Sequence, residues 1–170
     1  YADATGVEMS FLGEVTGWSD LQERVRQHLI RSCSQHVSDS NVDLSATLGR
    51  AELDPIRERL VEVCEELAKV RQTRGGRKTY HLMIATYFLD IAQTWHALRR
   101  VCASPSAICF VLGDSAPYGV YVPVVEWFGE LARAAGFGNY HFEKTRDRNI
   151  KWKNRKHRVP LCEGRFWVEG

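Results

Sequence analysis

The chain lacks most of the features that would staple, anchor or metallate it. Its five cysteines are an odd number and no two stand in Cys-x-x-Cys spacing, so neither a disulfide framework nor a zinc ribbon has its signature. Most of them read as reduced core residues, Cys64 on a helix face and Cys109 inside an apolar strand. His28, Cys33 and His36 fit no common zinc pattern and have no fourth partner, so no metal is expected. No signal peptide or apolar run of membrane length is present, which predicts a cytoplasmic protein with no membrane partner. Gly75-Gly76 is not followed directly by a Lys-Ser/Thr pair, and reads as a hinge between basic residues rather than a phosphate loop. The first residue is Tyr1 rather than Met, which suggests a fragment or a processed piece.

Net charge is also small, at +2 from 23 basic and 21 acidic residues. The charges are unevenly placed, however. Residues 51–69 are rich in acid, whereas Lys144 to Arg158 is strongly basic with Asp147 as its one acid. A local field of that kind attracts phosphate even on a nearly neutral chain. With 170 residues, 44% of them hydrophobic and 26% charged, the chain has the length and composition of one soluble domain, or a piece of one, with a real core.

The organising stretch is Ile108-Cys-Phe-Val-Leu-Gly-Asp-Ser115. Its apolar part is too short for a free-standing helix and stops at a turn signal, so it predicts a strand buried on both faces with a polar loop at its carboxyl end. Thr79 to about Cys102 before it has helical spacing in Leu82, Ala85, Phe88, Ile91, Trp95 and Leu98. Val122 to Ala135 after it is a second amphipathic helix, closed by Gly136. Helix, buried strand, helix is the pattern of a parallel α/β sheet, which binds ligands beyond the carboxyl ends of its strands. Gly113, Asp114 and Ser115 fall at that place; the ordinary alternative is a turn whose Asp and Ser satisfy nearby amides.

Elsewhere, residues 1–18 read as an ordered loop. Ser19 N-caps a helix running to about His36, with Gln22 completing a capping box. Ser34 to Arg50 reads as a loop, and Ala51 to Gln72 as a helix with Ile56, Leu60, Val63, Cys64 and Leu67 on its apolar face. Asn139 to Lys144 and Arg165 to Val168 predict an antiparallel hairpin at the sheet edge. The segment between them carries Arg146, Arg148, Asn149, Lys151, Trp152, Lys153, Arg155, Lys156 and Arg158. Cations for phosphate, an aromatic for stacking and Asn for base edges together suit nucleic acid, against the alternative of a solvated loop that keeps the protein soluble.

Taken in order, four stretches resemble the carboxyl-terminal half of S-adenosylmethionine-dependent DNA methyltransferases that modify the exocyclic amine of adenine or cytosine. They are Tyr1-Ala-Asp-Ala-Thr5 with Glu8, Phe11-Leu-Gly-Glu14 and Trp18; Tyr87-Phe-Leu-Asp90 through Leu98-Arg-Arg-Val101; Phe110 to Ser115 with Gly119 to Pro123 and Leu131 to Phe137; and Arg146 to Glu163. The likeness covers nearly the whole chain except residues 38–76, which resemble an insertion. The family's glycine-rich cofactor loop and Pro-Pro-Tyr motif are absent, and the chain holds no Pro-Pro pair. Ser104-Pro105-Ser106 replaces its Pro-Gly-Gly.

The resemblance implies the carboxyl-terminal half of a class I, Rossmann-like methyltransferase sheet with a helical insertion before the buried strand. Its segments would be 1–37 (loop and helix after the catalytic motif), 38–78 (insertion), 79–137 (helix-strand-helix) and 138–170 (edge hairpin with basic loop). It implies that no catalytic residue lies in this chain, and that S-adenosylmethionine is bound mainly by the preceding half, covalently joined or a separate subunit. A flipped base's amine would attack the methyl group. Tyr1, Asp3, Gly113, Asp114 and Ser115 would wall the base pocket, and the basic segment would contact DNA. An RNA methyltransferase piece and a non-catalytic nucleic-acid-binding subunit or remnant are the alternatives.

Overall fold

The computed structural model describes residues 6–34, 37–76, 78–148 and 159–170. The chain divides into two compact units, one ending at Ile30 and one spanning Arg31–Gly170. In the first, α1 (Gly6–Phe11) and α2 (Trp18–Arg24) close over a small cluster of Val15 and Leu21, with Met9 and Val25 against it. The helix expected to run to His36 is thus shorter, followed only by a 3-10 turn at Arg26–His28. Its expected cap differs as well. Asp20, not Ser19, organises the entry, accepting from the Thr16 amide at 2.8 Å, while Ser19 bonds Glu23 within the helix. Residues 6–11, expected as loop, form a helix.

The second unit is a mixed α/β structure in which helices cover one face of a three-stranded sheet. Its first helix, α3 (Leu44–Leu48), falls where a loop was expected; Asp43 caps it through the Ala46 amide at 3.0 Å. A 3-10 turn (Ala51–Leu53) and Pro55 precede α4 (Arg57–Thr73), so the helix expected from Ala51 begins only after that proline. Of the expected apolar stripe, Ile56, Leu60, Cys64 and Leu67 are buried, and Val63 packs half-buried against the same core. Helix α5 (Tyr80–Val101) has ten buried residues on 22, wrapping much of its circumference, as a helix packed on several sides must. Helix α6 (Val124–Ala134) ends at Gly136, whose φ of 92° suits a residue with no side chain.

The strands are β1 (Ala107–Leu112), β2 (Tyr140–Arg148) and β3 (Leu161–Glu169), in the order β1-β3-β2. Both pairings are antiparallel, Phe110 facing Phe166 and Phe142 facing Phe166 across the two ladders. The hairpin of β2 and β3 was expected; that β3 lies between β2 and β1 was not. A parallel sheet with an antiparallel hairpin at its edge was expected; both described pairings are antiparallel, because β3 takes the place beside β1. Because β1 and β2 each run opposite to β3, they run parallel to one another. They form a β1–α6–β2 crossover with a reversed strand in the gap.

Side chains on one sheet face meet α5 and α6. Trp95 packs edge-on against Phe110, Phe128 and Phe137, with centroids 5.2–6.1 Å apart, and Phe166 is fully buried among them. The opposite face of β1 is open: Val111 is 73% exposed and Cys109 is exposed. That corrects the reading of β1 as buried on both faces, and of Cys109 as a core residue. The sheet has one helical layer among the described residues, so alternate side chains have nothing to cover them. This outer surface is mixed rather than apolar, since Trp167 stands between Cys109 and His141, and Arg165 between Val111 and Glu143.

Candidate functional site

The loop after β1 is built by close approach. At Gly113 a Cβ would lie 2.1 Å from the Cys162 carbonyl oxygen, so only glycine lets β1 leave the sheet so near β3. Ser115 and Val122 then exchange both backbone hydrogen bonds, at 3.2 and 2.8 Å. This pins the two ends of the loop 115–122, whose tip holds Tyr118 at φ 54°. That is a left-handed conformation unusual for a bulky residue.

Asp114 spends both carboxylate oxygens inside this frame. Oδ1 accepts from the Val125 amide at 3.1 Å, at the start of α6, where no residue of the helix entry supplies a side-chain cap. Oδ2 accepts from the Tyr121 hydroxyl. The Asp114 carbonyl accepts from Arg148 Nη1 at 3.2 Å. Burial, and then the bond to Asp114, push the Tyr121 phenol above its ordinary range. It therefore stays a protonated donor at neutral pH. The residue remains 45% exposed.

Arg148 ends β2, and its bond to Asp114 joins the carboxyl ends of the two parallel-running strands. Of the expected site residues, Gly113, Asp114, Ser115 and Arg148 therefore come together at one end of the sheet. Arg146 stands further back on β2, in an ion pair with Glu163 at 2.6 Å. Lys144 pairs likewise with Asp147 at 2.5 Å, and Arg165 approaches Glu143 to 3.5 Å. Tyr1, Asp3, Asn149, Lys151, Trp152, Lys153, Arg155, Lys156 and Arg158 lie outside the described residues. The segment 149–158 has five Lys and Arg and no acid, so the unbalanced positive charge sits there and not on β2.

Tyr121 was not singled out from sequence. It stands between Val120 and Val122, both buried, so the alternation apolar-in, aromatic-out was a usable signal. No protein-family model matches the chain, and no curated protein or solved structure matches it significantly.

Two open apolar grooves lie elsewhere. One, of about 450 Å³, is lined by Val7, Phe11, Trp18 and Leu21; another, of about 480 Å³, by Leu44, Leu48, Val61 and Cys64. Neither includes a residue of the Asp114 loop. Among the described residues, no three His, Cys, Asp or Glu side chains gather as metal ligands, and no helix is long and apolar enough to cross a membrane.

Proposed function

We propose that this chain is the carboxyl-terminal part of an S-adenosylmethionine-dependent methyltransferase acting on an exocyclic amine of adenine or cytosine in DNA. The supporting observation is the shared strand end. The Gly113-Asp114-Ser115 loop and the basic segment leave the sheet from the same end, through strands parallel to one another and bridged by Arg148 and Asp114. Ligands of α/β units collect at such ends, and five cations in the sequence that follows Arg148 suit a polyanion. The residue-order likeness to amino-methyltransferases supplies the reaction. The edge of β1 away from β3 is unpaired among the described residues, which suits continuation of the sheet by preceding strands.

The described residues do not by themselves suit the cofactor. Both Asp114 oxygens are engaged, the space beside Gly113 is filled by the Cys162 carbonyl, and no glycine-rich loop follows a strand. The preceding part of the fold would hold it, so no chemical step is assigned to this chain. Calorimetric titration with S-adenosylmethionine tests the reading. We expect no binding by this chain alone, and binding once it is mixed with a preceding segment that carries the cofactor loop. Binding by the chain alone would move the cofactor site into it. Silence in both titrations would overturn the methyltransferase reading in favour of a non-catalytic nucleic-acid-binding protein, and competition between DNA and RNA separates the remaining alternative.

The basic segment has its own test. Replacing Lys153 and Arg155 together by Ala removes two cations, so the logarithmic salt slope of DNA binding should fall by about 2. Affinity should drop for every sequence alike. An unchanged slope in a fluorescence-anisotropy titration would make the segment a solvated loop.

A further inference from the structure

We propose that Tyr121 is a stacking platform for a nucleobase, held at the strand end through its hydroxyl by Asp114. The inference deepens the nucleic-acid reading above and rests on it.

An exposed tyrosine ordinarily samples several rotamers and loses that freedom when a ligand stacks on it. Tyr121 has been fixed in advance at both ends. Its backbone is adjacent to the Ser115–Val122 bridge, with hydrogen bonds of 2.8 and 3.2 Å, and buried Val120 and Val122 flank it. Its hydroxyl donates to Asp114, which is itself tied to the Val125 amide and, through its carbonyl, to Arg148. The residue as a whole nevertheless remains 45% exposed. The arrangement orients the side chain without burying the residue.

A neutral, preorganised aromatic side chain in one frame with Arg148, which the sequence follows with a cation-rich segment, suits one ligand chemistry: a flat, electron-rich ring carried on a phosphodiester. Base–aromatic stacking contributes about 1–3 kcal/mol per base and tolerates any sequence. Arg148 begins the run that continues through Lys151 to Arg158 in the sequence, so cations for the neighbouring phosphates lie next along the chain. Asp114 acts here as a positioning residue. It touches the ring's hydroxyl rather than the base.

The test is fluorescence anisotropy with a labelled single-stranded 16-mer DNA and the full chain, as a function of salt. Tyr121→Ala and Tyr121→Leu, the second keeping bulk without a π face, should each weaken binding about ten-fold, within the range expected for one stacked base. Their salt slope should match that of the unaltered chain, since no charge is removed. Tyr121→Phe keeps the ring and should remain within about three-fold. Thermal melts of all three variants identify any that fail to fold, and Tyr121→Phe and Tyr121→Leu keep the comparison valid if Tyr121→Ala does not. Unaltered affinity in Tyr121→Leu, with weakening in the Lys153/Arg155 double variant, would overturn the platform and leave the nucleic-acid reading standing. Failure of the unaltered chain to bind DNA would overturn both.

Discussion

Replacing Gly113 by Ala adds one methyl group at the point where β1 separates from β3. The added carbon would lie 2.1 Å from the Cys162 carbonyl oxygen, 3.0 Å from its carbon and 3.0 Å from Glu163 Cα. All three atoms are backbone, so no rotamer change relieves the contact; one strand must move by more than an ångström. Overpacking of this kind costs about 1–3 kcal/mol. The neighbouring Leu112–Gly164 pair and the Asp114 frame move with it, which places the expected loss near the upper end, about 3 kcal/mol. For a domain of this length each kcal/mol lowers the melting midpoint by roughly 2–4 °C, so a decrease of about 6–12 °C is expected by circular dichroism. Gly75→Ala is the control. It meets nothing within 4 Å but sits at φ 77°, so only backbone strain of about 1–2 kcal/mol applies. A Gly113→Ala protein that melts within a degree of the parent, or above Gly75→Ala, would refute the close-approach account.

Two further outcomes follow from burial. Cys109 is exposed on the outer sheet face while Cys64 is buried, with its thiol pushed up to about 12 by burial, so maleimide should label Cys109 in the native protein and Cys64 only after unfolding; rapid native labelling of Cys64 would contradict the α4 packing. His81 is only 7% exposed, and burial, then the nearby Arg71, lower its folded pKa below the unfolded value, with Asp39 opposing. The unfolded chain therefore takes up the proton first, so the contribution of His81 to stability is fully present above about pH 6.5 and declines as pH falls below it. Urea midpoints from pH 7.5 to 5 should show this fall and show less of it in His81→Phe; equal slopes in the two proteins would contradict the assignment.

The long helices were legible because their apolar spacing is strong enough to outweigh local noise. Leu82 to Leu98 and Val124 to Leu131 repeat at helical period and lie in or against one core. The short elements were not. Helix α3 depends on a single cap from Asp43, and α1 has no buried residue at all, so neither writes a period into the sequence. Strand β2 continues to Arg148 through Lys144, Arg146 and Asp147 because these project into solvent and form ion pairs, Lys144 with Asp147 and Arg146 with Glu163, while Thr145 forms a bulge that shifts the register. In β3, Gly164 interrupts the apolar alternation because a Cβ there would lie 2.2 Å from the Glu143 carbonyl oxygen.

At the candidate site, the position of Asp114 after β1 was readable from the turn signal. Its partners were not, because the bonds to Val125, Tyr121 and Arg148 are set by tertiary approach.

The sheet's order has a consequence for how the molecule assembles. Both ladders among the described residues pass through β3, which lies after β1 and β2 in the sequence yet stands between them. During ribosomal synthesis α4 and α5 can dock through contacts close in sequence, whereas β1 must wait across the whole of α6 and β2 for its partner. Ala107 meets Glu169 only at a separation that makes loop closure slow. In that interval the uncharged Ala-Ile-Cys-Phe-Val-Leu run of β1 lacks the partner on the edge that β3 takes. The nascent chain is therefore most vulnerable to intermolecular strand pairing just before β3 arrives, and demand for a chaperone should peak there.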